Sequence, residues 1–405
     1  MPTISDAPPF NGLKVVDVAS WIAGPVAATI LADYGADVIK VEMPGVGDGY
    51  RALAAAPGMP ASEINYMWMM DARNKRSVTL NLKDPRGKAI LLRLVESCDV
   101  YVTNQPMPMR RALGLTFADL EKINPKMIFA SLTAYGEDGP ERDREGFDLV
   151  AYWARTGLMD QVRTGDVEPA QSLPGMGDHP SAVALYASIV TALYRRERTG
   201  LGAEVHTSLL ANGIWAAGCV AQAKLAGADF SGWRSPTRIG MTRPMYRAAD
   251  ARWLQFTMVR TPTEIESLLQ CVGLGELLSD ARFSTPEARL EHGVELVERM
   301  RDAIARQSSA HWLAQFREAK VPGALMGTLD DLVIDPQLPV NGMTVPAKTR
   351  LSDETPVINH PVNVRGAARQ PIRPAPDLGE HTDQVLAELG ISDDEIRKLR
   401  TDGII

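Results

Sequence analysis

One stretch of the 405-residue chain combines residue types that could carry covalent chemistry. It reads LPGMGDHPSAVALY, in which Gly177 precedes Asp178 and His179, and Pro180 opens an apolar helix. A helix N-terminus favours an ionised carboxylate, and its free backbone N–H groups could stabilise a developing oxyanion. Asp178 is therefore either a nucleophile or a helix cap. His179 is adjacent in sequence, which rarely brings two side chains face to face, so we do not assign it as the base for Asp178.

Two further segments place polar side chains beside expected strands. The loop YGEDGPERDREGFD, from Tyr135 to Asp148, follows a strand, and parallel α/β sheets bind ligands at such strand ends. Asp148 either serves that site or caps the next helix. Asn74-Lys75-Arg76 precedes another strand, and Lys83 lies at its end. These cations either hold phosphates or belong to a solvated turn.

Several other kinds of chemistry lack their motifs. The first strand is followed by SWIAGPVA rather than GxGxxG, and neither GxxxxGK[ST] nor HExxH occurs. The six histidines and three cysteines are scattered, so we expect no metal site and no disulfide framework. A net charge of −7 does not suit nucleic-acid binding. No apolar run reaches the roughly 18 residues of a membrane helix, and the N-terminus lacks signal-peptide features. We predict a cytoplasmic enzyme without nucleic-acid or membrane partners.

Alternating strand and helix signals indicate how the fold positions these residues. Residues 13–20 (LKVVDVAS) are a β-branched run, followed by the helical VAATILADYG and the strand-like ADVIKVE. This βαβ pattern recurs as far as residue 135, which predicts a doubly wound parallel sheet. Residues 181–195 are apolar nearly all round and predict a buried helix. Residues 245–325, with one strand and three helical stretches, form a candidate smaller domain.

Several segments taken together resemble the class III CoA-transferases. They are GLKVVDVASWIAGPVAATILADYGADVIKVEMPG, NKRSVTLNLKDPRGK, NPKMIFASLTAYGEDGP, EGFDLVAY, GDHPSAVALYASIVTALYRRERTGLGAEVHTSL and LGEHTDQVLAELGISDDEI, which follow the family's order over residues 12–396. The resemblance implies an α/β fold with a Rossmann-like large domain, a smaller inserted domain and an interlocked homodimer. The expected boundaries are 1–220 and 331–405 for the large domain and 221–330 for the linker and small domain.

The resemblance also implies a set of site residues. Asp178 would be catalytic, supported by Asp148, Gly177 and Tyr135. The expected CoA contacts are Ile22, Lys40, Lys75, Arg76, Leu80, Lys83, Asn104 and Arg111. Substrates would be an acyl-CoA and a carboxylic acid, with no tightly bound cofactor and no metal. Two departures stand out, since Met43 and Ala112 occupy positions where family members that use formyl-CoA have arginines for the nucleotide end of CoA.

The resemblance leaves two enzymatic activities open, beside a non-catalytic CoA-binding protein. The first is CoA transfer through an aspartyl anhydride and an aspartyl-CoA thioester. The alternative is an acyl-CoA racemase or isomerase like α-methylacyl-CoA racemase, which resembles the chain throughout. Those racemases have a His-Asp pair where this chain has Phe147-Asp148. Phenylalanine cannot act as a general base, so the sequence favours transfer.

Overall fold

A computed structural model of the chain describes residues 7–163, 167–257, 259–349 and 352–405. These residues divide into two compact units. The larger contains the described residues of Met1–Arg163, Glu168–Ala221 and Gln337–Ile405, and the smaller those of Thr164–Val167 and Gln222–Pro336. None of the helices in the described ranges combines the length and apolar character needed to cross a bilayer.

The two units are built from short strands and helices. The strands are β1 (Lys14–Asp17), β2 (Asp37–Glu42), β3 (Arg76–Thr79), β4 (Val100–Thr103), β5 (Ile128–Thr133), β6 (Ala203–Ser208), β7 (Tyr246–Arg247), β8 (Trp253–Phe256), β9 (Gly323–Leu325), β10 (Thr344–Ala347) and β11 (Thr355–Ile358). The α-helices are α1 (Ala23–Asp33), α2 (Tyr50–Leu53), α3 (Tyr66–Asp71), α4 (Pro85–Ser97), α5 (Met107–Leu113), α6 (Phe117–Leu120), α7 (Leu158–Val162), α8 (Asp178–Thr199), α9 (Leu209–Ala216), α10 (Gly218–Leu225), α11 (Pro262–Cys271), α12 (Pro286–Glu291), α13 (Gly293–Ile304), α14 (Ser309–Glu318), α15 (Leu329–Val333), α16 (Gln337–Val340), α17 (Thr382–Glu388) and α18 (Asp393–Thr401). A π-helix (Leu149–Ala154) and a 3₁₀-helix (Gly275–Ser279) complete the set.

The larger unit contains a six-stranded parallel sheet in the order β3-β2-β1-β4-β5-β6. The predicted α/β fold with a parallel sheet is therefore confirmed. Every residue of β4 and β5 is buried, as expected for strands covered on both faces. The order reverses between β1 and β4, and ligands of doubly wound sheets bind in the crevice outside the carboxyl ends at such a switch point.

Adjacent residues of β1 face opposite layers of the larger unit. Val15 packs in a layer with residues of α1 and α8, whereas Val16 packs in a layer with residues of α4, α17 and α18. The tail therefore contributes to the core through α17 and α18, which lie on either side of Gly390. The prediction of a helix buried nearly all round over 181–195 is wrong. Helix α8 buries one stripe and leaves Tyr194 65% exposed, because only one side faces the sheet.

The smaller unit has its own antiparallel sheet, in the order β7-β8-β9, and its own core. Tyr246, Phe256 and Phe316 are fully buried in that core together with apolar residues of α11, α13 and α14. Helices α12 and α13 of this unit are separate elements that meet at His292.

Candidate active site

A cavity of about 810 Å³ opens along the carboxyl edge of the parallel sheet. Residues in or just beyond all six strands line it: Val18, Val41, Glu42, Leu80, Asn104, Leu132, Thr133 and Leu209. Asp178, the first residue of α8, lines it too. The volume lies in the range of pockets that hold cofactor-sized ligands, so the switch point of the sheet and the candidate nucleophile share one cavity.

Asp178 does not act as a helix cap. The cap position of α8 is occupied by Gly177, and the helix begins at Asp178 itself. Within the described part of the chain, no hydrogen bond holds the Asp178 carboxylate. Burial, together with the negative charge of Asp148, raises the pKa of Asp178 to about 7. The carboxylate is thus available to react and more basic than an ordinary aspartate.

The expectation that free N–H groups at this helix end keep Asp178 ionised is wrong. The N–H of Gly177 donates to Asp148, that of His179 to the Gly175 carbonyl and that of Ser181 to the Gly177 carbonyl. Position 180 is proline, which has no N–H. These donors are already used, so burial and the nearby carboxylate govern the charge of Asp178.

Gly177 and Asp148 are held against each other. The Gly177 N–H donates to Asp148 Oδ2 at 3.1 Å. Asp148 stands at the N-cap of the π-helix, yet its side chain makes no capping hydrogen bond there. A Cβ on Gly177 would lie 2.7 Å from Tyr152 Cγ and 3.0 Å from Asp148 Cβ. The site therefore needs glycine here because of close packing, since its φ of −97° suits any residue.

Three of the predicted CoA contacts line the cavity, namely Leu80, Lys83 and Asn104. Asn104 accepts a 2.8 Å hydrogen bond from the N–H of Ser20 and donates one of 2.6 Å to its carbonyl. It therefore joins the segments that follow β1 and β4. Lys83 is exposed and forms no ion pair with any residue that the structure describes, so its charge remains available to an anion.

Three other predicted contacts, Lys40, Lys75 and Arg76, do not line the cavity. Lys40 pairs with Asp48 at 2.9 Å and Lys75 with Asp17 at 2.9 Å, and all four of these side chains are buried. Arg76 pairs with both Asp37 and Glu388. The structure pairs these cations with carboxylates of the protein itself, on β1, β2, α17 and the loop that follows β2.

The remaining predicted residues also lie outside the lining. Ile22 is buried at the N-cap of α1. Tyr135 is half-buried, with the Arg144 guanidinium 5.1 Å from its ring centre. Arg111 is exposed, 3.6 Å from the Asp143 carboxylate. The structure thus brings Asp178 together with Leu80, Lys83 and Asn104, while Asp148 and Gly177 adjoin Asp178 from outside the cavity.

Four residues that line the cavity were not predicted from the sequence to do so: Trp21, Arg142, Arg144 and Phe147. Both arginines belong to the polar loop from Tyr135 to Asp148, so the signal was present. Trp21 gave no signal, because its φ of +68° is rare for a bulky side chain. The main-chain N–H of Trp21 donates to the buried Asp48 carboxylate at 2.9 Å. The centres of the Trp21 and Phe147 rings lie 5.5 Å apart in an edge-to-face arrangement.

Comparison with known proteins identifies the group to which this chain is related. The sequence model of CoA-transferase family III matches residues 10–382. The chain belongs to this family. It is 32% identical over 401 residues to the (R)-2-hydroxy-4-methylpentanoate CoA-transferase of Clostridioides difficile, a match covering 98% of this chain and 99% of that protein. It is also 32% identical to the cinnamoyl-CoA:phenyllactate CoA-transferase of Clostridium sporogenes, with 97% and 96% covered.

The fold of this family III CoA-transferase matches solved structures as well. A crystal structure of a CAIB/BAIF family protein from Brucella suis superposes with a TM-score of 0.81 at 28% identity, covering 95% of this chain and 100% of that one. The predictions of family membership and of an enzyme are confirmed. CoA thioesters are the substrates of such enzymes, and the racemase alternative is not favoured by these relatives.

Proposed function

We propose that this enzyme moves coenzyme A from an acyl-CoA to a carboxylic acid through covalent intermediates on Asp178. The observation that carries the proposal is the Asp178 carboxylate itself. It lines the cavity at the carboxyl edge of the sheet, it is held by no hydrogen bond within the described ranges, and its pKa is raised to about 7. A nucleophile needs this combination of access and basicity.

The proposed reaction has two halves. A carboxylate oxygen of Asp178 attacks the thioester carbonyl of the donor, the C–S bond breaks, and CoA leaves as the thiolate from a mixed anhydride. The thiolate then attacks the aspartyl carbonyl, which releases the donor acid as a carboxylate and leaves an aspartyl-CoA thioester. The acceptor carboxylate repeats these steps in reverse. One thioester replaces another, so the exchange consumes no ATP.

In this proposal, CoA is bound by Leu80, Asn104 and the cationic side chains that line the cavity. Lys83, Arg142 and Arg144 line it, and Arg and Lys are the usual partners of phosphate groups. They provide the positive charge that Met43 and Ala112, which also line the cavity, cannot provide. Binding energy from the distant nucleotide end helps to hold the thioester at Asp178.

The proposal includes an assembly. We infer that the unit around Gln222–Pro336 is the inserted small domain of the family and that two chains interlock as a homodimer. This inference follows from membership of CoA-transferase family III. Light scattering of the purified protein should give twice the chain mass of 44.1 kDa. A monomer would contradict the assembly without affecting the chemistry.

Trapping tests the role of Asp178 directly. The protein is incubated with acyl-CoAs, including 2-hydroxy-4-methylpentanoyl-CoA and cinnamoyl-CoA, then quenched with borohydride and mapped by mass spectrometry. Reduction should convert Asp178, and no other carboxylate, to the alcohol. Asp178→Ala should still bind CoA but lose transfer. A label elsewhere, or full transfer by Asp178→Ala, would refute the assignment. Solvent deuterium appearing at the α-carbon without an acceptor acid would favour the isomerase instead.

A further inference from the structure

Three side chains in the larger unit form a hydrogen-bonded row that the transfer chemistry leaves unused. His179 Nε2 lies 3.1 Å from Asp71 Oδ1, and the Tyr50 hydroxyl donates to Asp71 Oδ2 at 2.5 Å. The other ring nitrogen, His179 Nδ1, lies 2.9 Å from the carbonyl oxygen of Gly175. The row therefore links α2, α3 and the first turn of α8 to the loop that precedes Asp178.

The partners of the His179 ring determine its protonation. A carbonyl oxygen only accepts hydrogen bonds, so Nδ1 must carry a proton to bond Gly175. The Asp71 carboxylate, 4% exposed, accepts from Tyr50 and, when ionised, accepts from Nε2 as well. Both ring nitrogens then carry protons, which makes His179 and Asp71 an imidazolium–carboxylate pair. Burial disfavours the charged ring, yet the Asp71 hydrogen bond and charge outweigh it and raise the pKa of His179.

The ring also packs against the backbone that leads to Asp178. Gly175 has a φ of +78°, and a Cβ at that position would lie 2.8 Å from His179 Cε1. The hydrogen bond to the Gly175 carbonyl thus fixes a tight turn only three residues before Asp178. Loss of that bond would leave the Gly175 carbonyl held only by the main-chain N–H of His179, at 3.0 Å.

We propose that His179 is a positioning residue, which holds the Gly175 turn in place and whose positive charge favours the ionised form of Asp178. The inference rests on the proposed role of Asp178 as the nucleophile. It adds a contribution to the reactivity of Asp178 from a side chain that does not itself react.

The charged groups near Asp178 have opposite effects on its pKa. Asp148 and Asp71 raise the pKa of Asp178, and the His179 imidazolium lowers it. Asp71 comes from α3, Asp148 from the N-cap of the π-helix and His179 from α8 itself, while Tyr50 on α2 contacts Asp71. Removal of the imidazolium alone would leave Asp178 between two carboxylates, which raises its pKa further.

The decisive variant is His179→Gln, which removes the charge but keeps an amide able to reach Asp71. We expect the acidic limb of the kcat/KM profile for CoA transfer to move up by about one pH unit, so that activity near pH 6 falls about tenfold and recovers at high pH. A purely structural role would lower activity equally at every pH. His311→Gln, at an exposed position on α14, is the matched control and should leave the profile unchanged. An unshifted limb would overturn the inference.

A second measurement uses the unaltered protein, in case the variant does not fold. Neutron diffraction from a deuterium-exchanged crystal near pH 7 should show deuterium on both ring nitrogens of His179. Only one occupied nitrogen would overturn the inference.

The variant Asp178→Asn distinguishes failure of this inference from failure of the proposed function. If that variant keeps transfer, the nucleophile assignment fails. If it loses transfer while His179→Gln shifts nothing, only the role of His179 fails.

Discussion

The main-chain N–H of Gly177 donates a 3.1 Å hydrogen bond to the buried carboxylate of Asp148. This bond fastens the residue before the candidate nucleophile to the loop that follows β5. It also keeps a negative charge close to Asp178, where that charge raises the pKa of Asp178. Position and basicity of the candidate nucleophile are thus set in part by one side chain.

The charge of Asp148 should be visible in the pH dependence of transfer. The pKa of Asp178 is about 7, so kcat/KM should rise with pH through an acidic limb near that value as the carboxylate ionises. Asp148→Asn removes the charge and keeps an oxygen that accepts from Gly177. The ionised form of Asp178 then becomes more favourable, and the limb should move down by about one pH unit.

The control for this experiment is Asp148→Ala, which removes the hydrogen bond as well. Its activity should fall across the whole profile. If the limb stays in place in Asp148→Asn, the charge of Asp148 does not tune Asp178.

Close packing around Gly177 predicts a steric effect without backbone strain. Gly177→Ala places a Cβ 2.7 Å from Tyr152 Cγ, so the loop must shift and carry Asp178 with it. A displacement of this kind should lower kcat about 100-fold, while circular dichroism should show a folded protein. Gly218→Ala in α10, where a Cβ would meet nothing within 4 Å, should behave like the wild type. Equal activity in both variants would contradict the packing argument.

The exposed ammonium group of Lys83, which lines the cavity, predicts an effect on CoA binding. Lys83→Ala should raise KM for the acyl-CoA about tenfold, the typical loss for a hydrogen bond to a charged group, and leave kcat nearly unchanged. The effect should shrink at high salt, because an exposed charge is screened. Lys122→Ala, also at an exposed lysine but outside the cavity lining, is the control. An unchanged KM in Lys83→Ala would remove Lys83 from the CoA site.

The raised pKa of Asp178 also predicts a cost in stability. Between about pH 4, the ordinary value for aspartate, and about pH 7, the folded state binds more protons at this group than the unfolded state. The free energy of unfolding therefore falls as pH rises through this window. Asp178→Asn escapes that loss, so its stability relative to the wild type should rise by about 4 kcal/mol between pH 4 and pH 8, at about 1.36 kcal/mol for each pKa unit.

Urea unfolding at both pH values measures this difference. Asp353→Asn, at a carboxylate that is 79% exposed, should show no such growth. A constant difference between Asp178→Asn and the wild type would mean that the pKa of Asp178 is not raised by folding.

The parallel sheet was predictable because short apolar runs and intervening helical segments repeat along the chain, and one topology accommodates them. Asp148 was predictable because it ends the loop that follows β5, and Asp178 because it begins a helix after a Gly-containing loop. The pairing between Asp148 and Gly177 was not, because 29 residues separate them and only the fold brings them together.

Lys40 and Lys75 illustrate what the sequence could not decide. A lysine in or beside a strand carries the same local signal whether it faces a phosphate or a buried carboxylate. The partner of Lys75, Asp17, lies 58 residues away, so only the three-dimensional arrangement distinguishes the two uses. The charge state of Asp178 also could not be predicted from the sequence, since it depends on which neighbouring N–H groups are already hydrogen-bonded.

The close packing around Gly177 affects how activity can be inferred from the sequences of related proteins. A chain in which mutation replaced that glycine would keep its sheet, its cavity and most of its sequence similarity, because none of them depends on this position. On the proposed mechanism it would nevertheless turn over about 100-fold more slowly. Overall likeness therefore does not distinguish a fully active enzyme from an impaired relative, whereas the dipeptide at Gly177-Asp178 does.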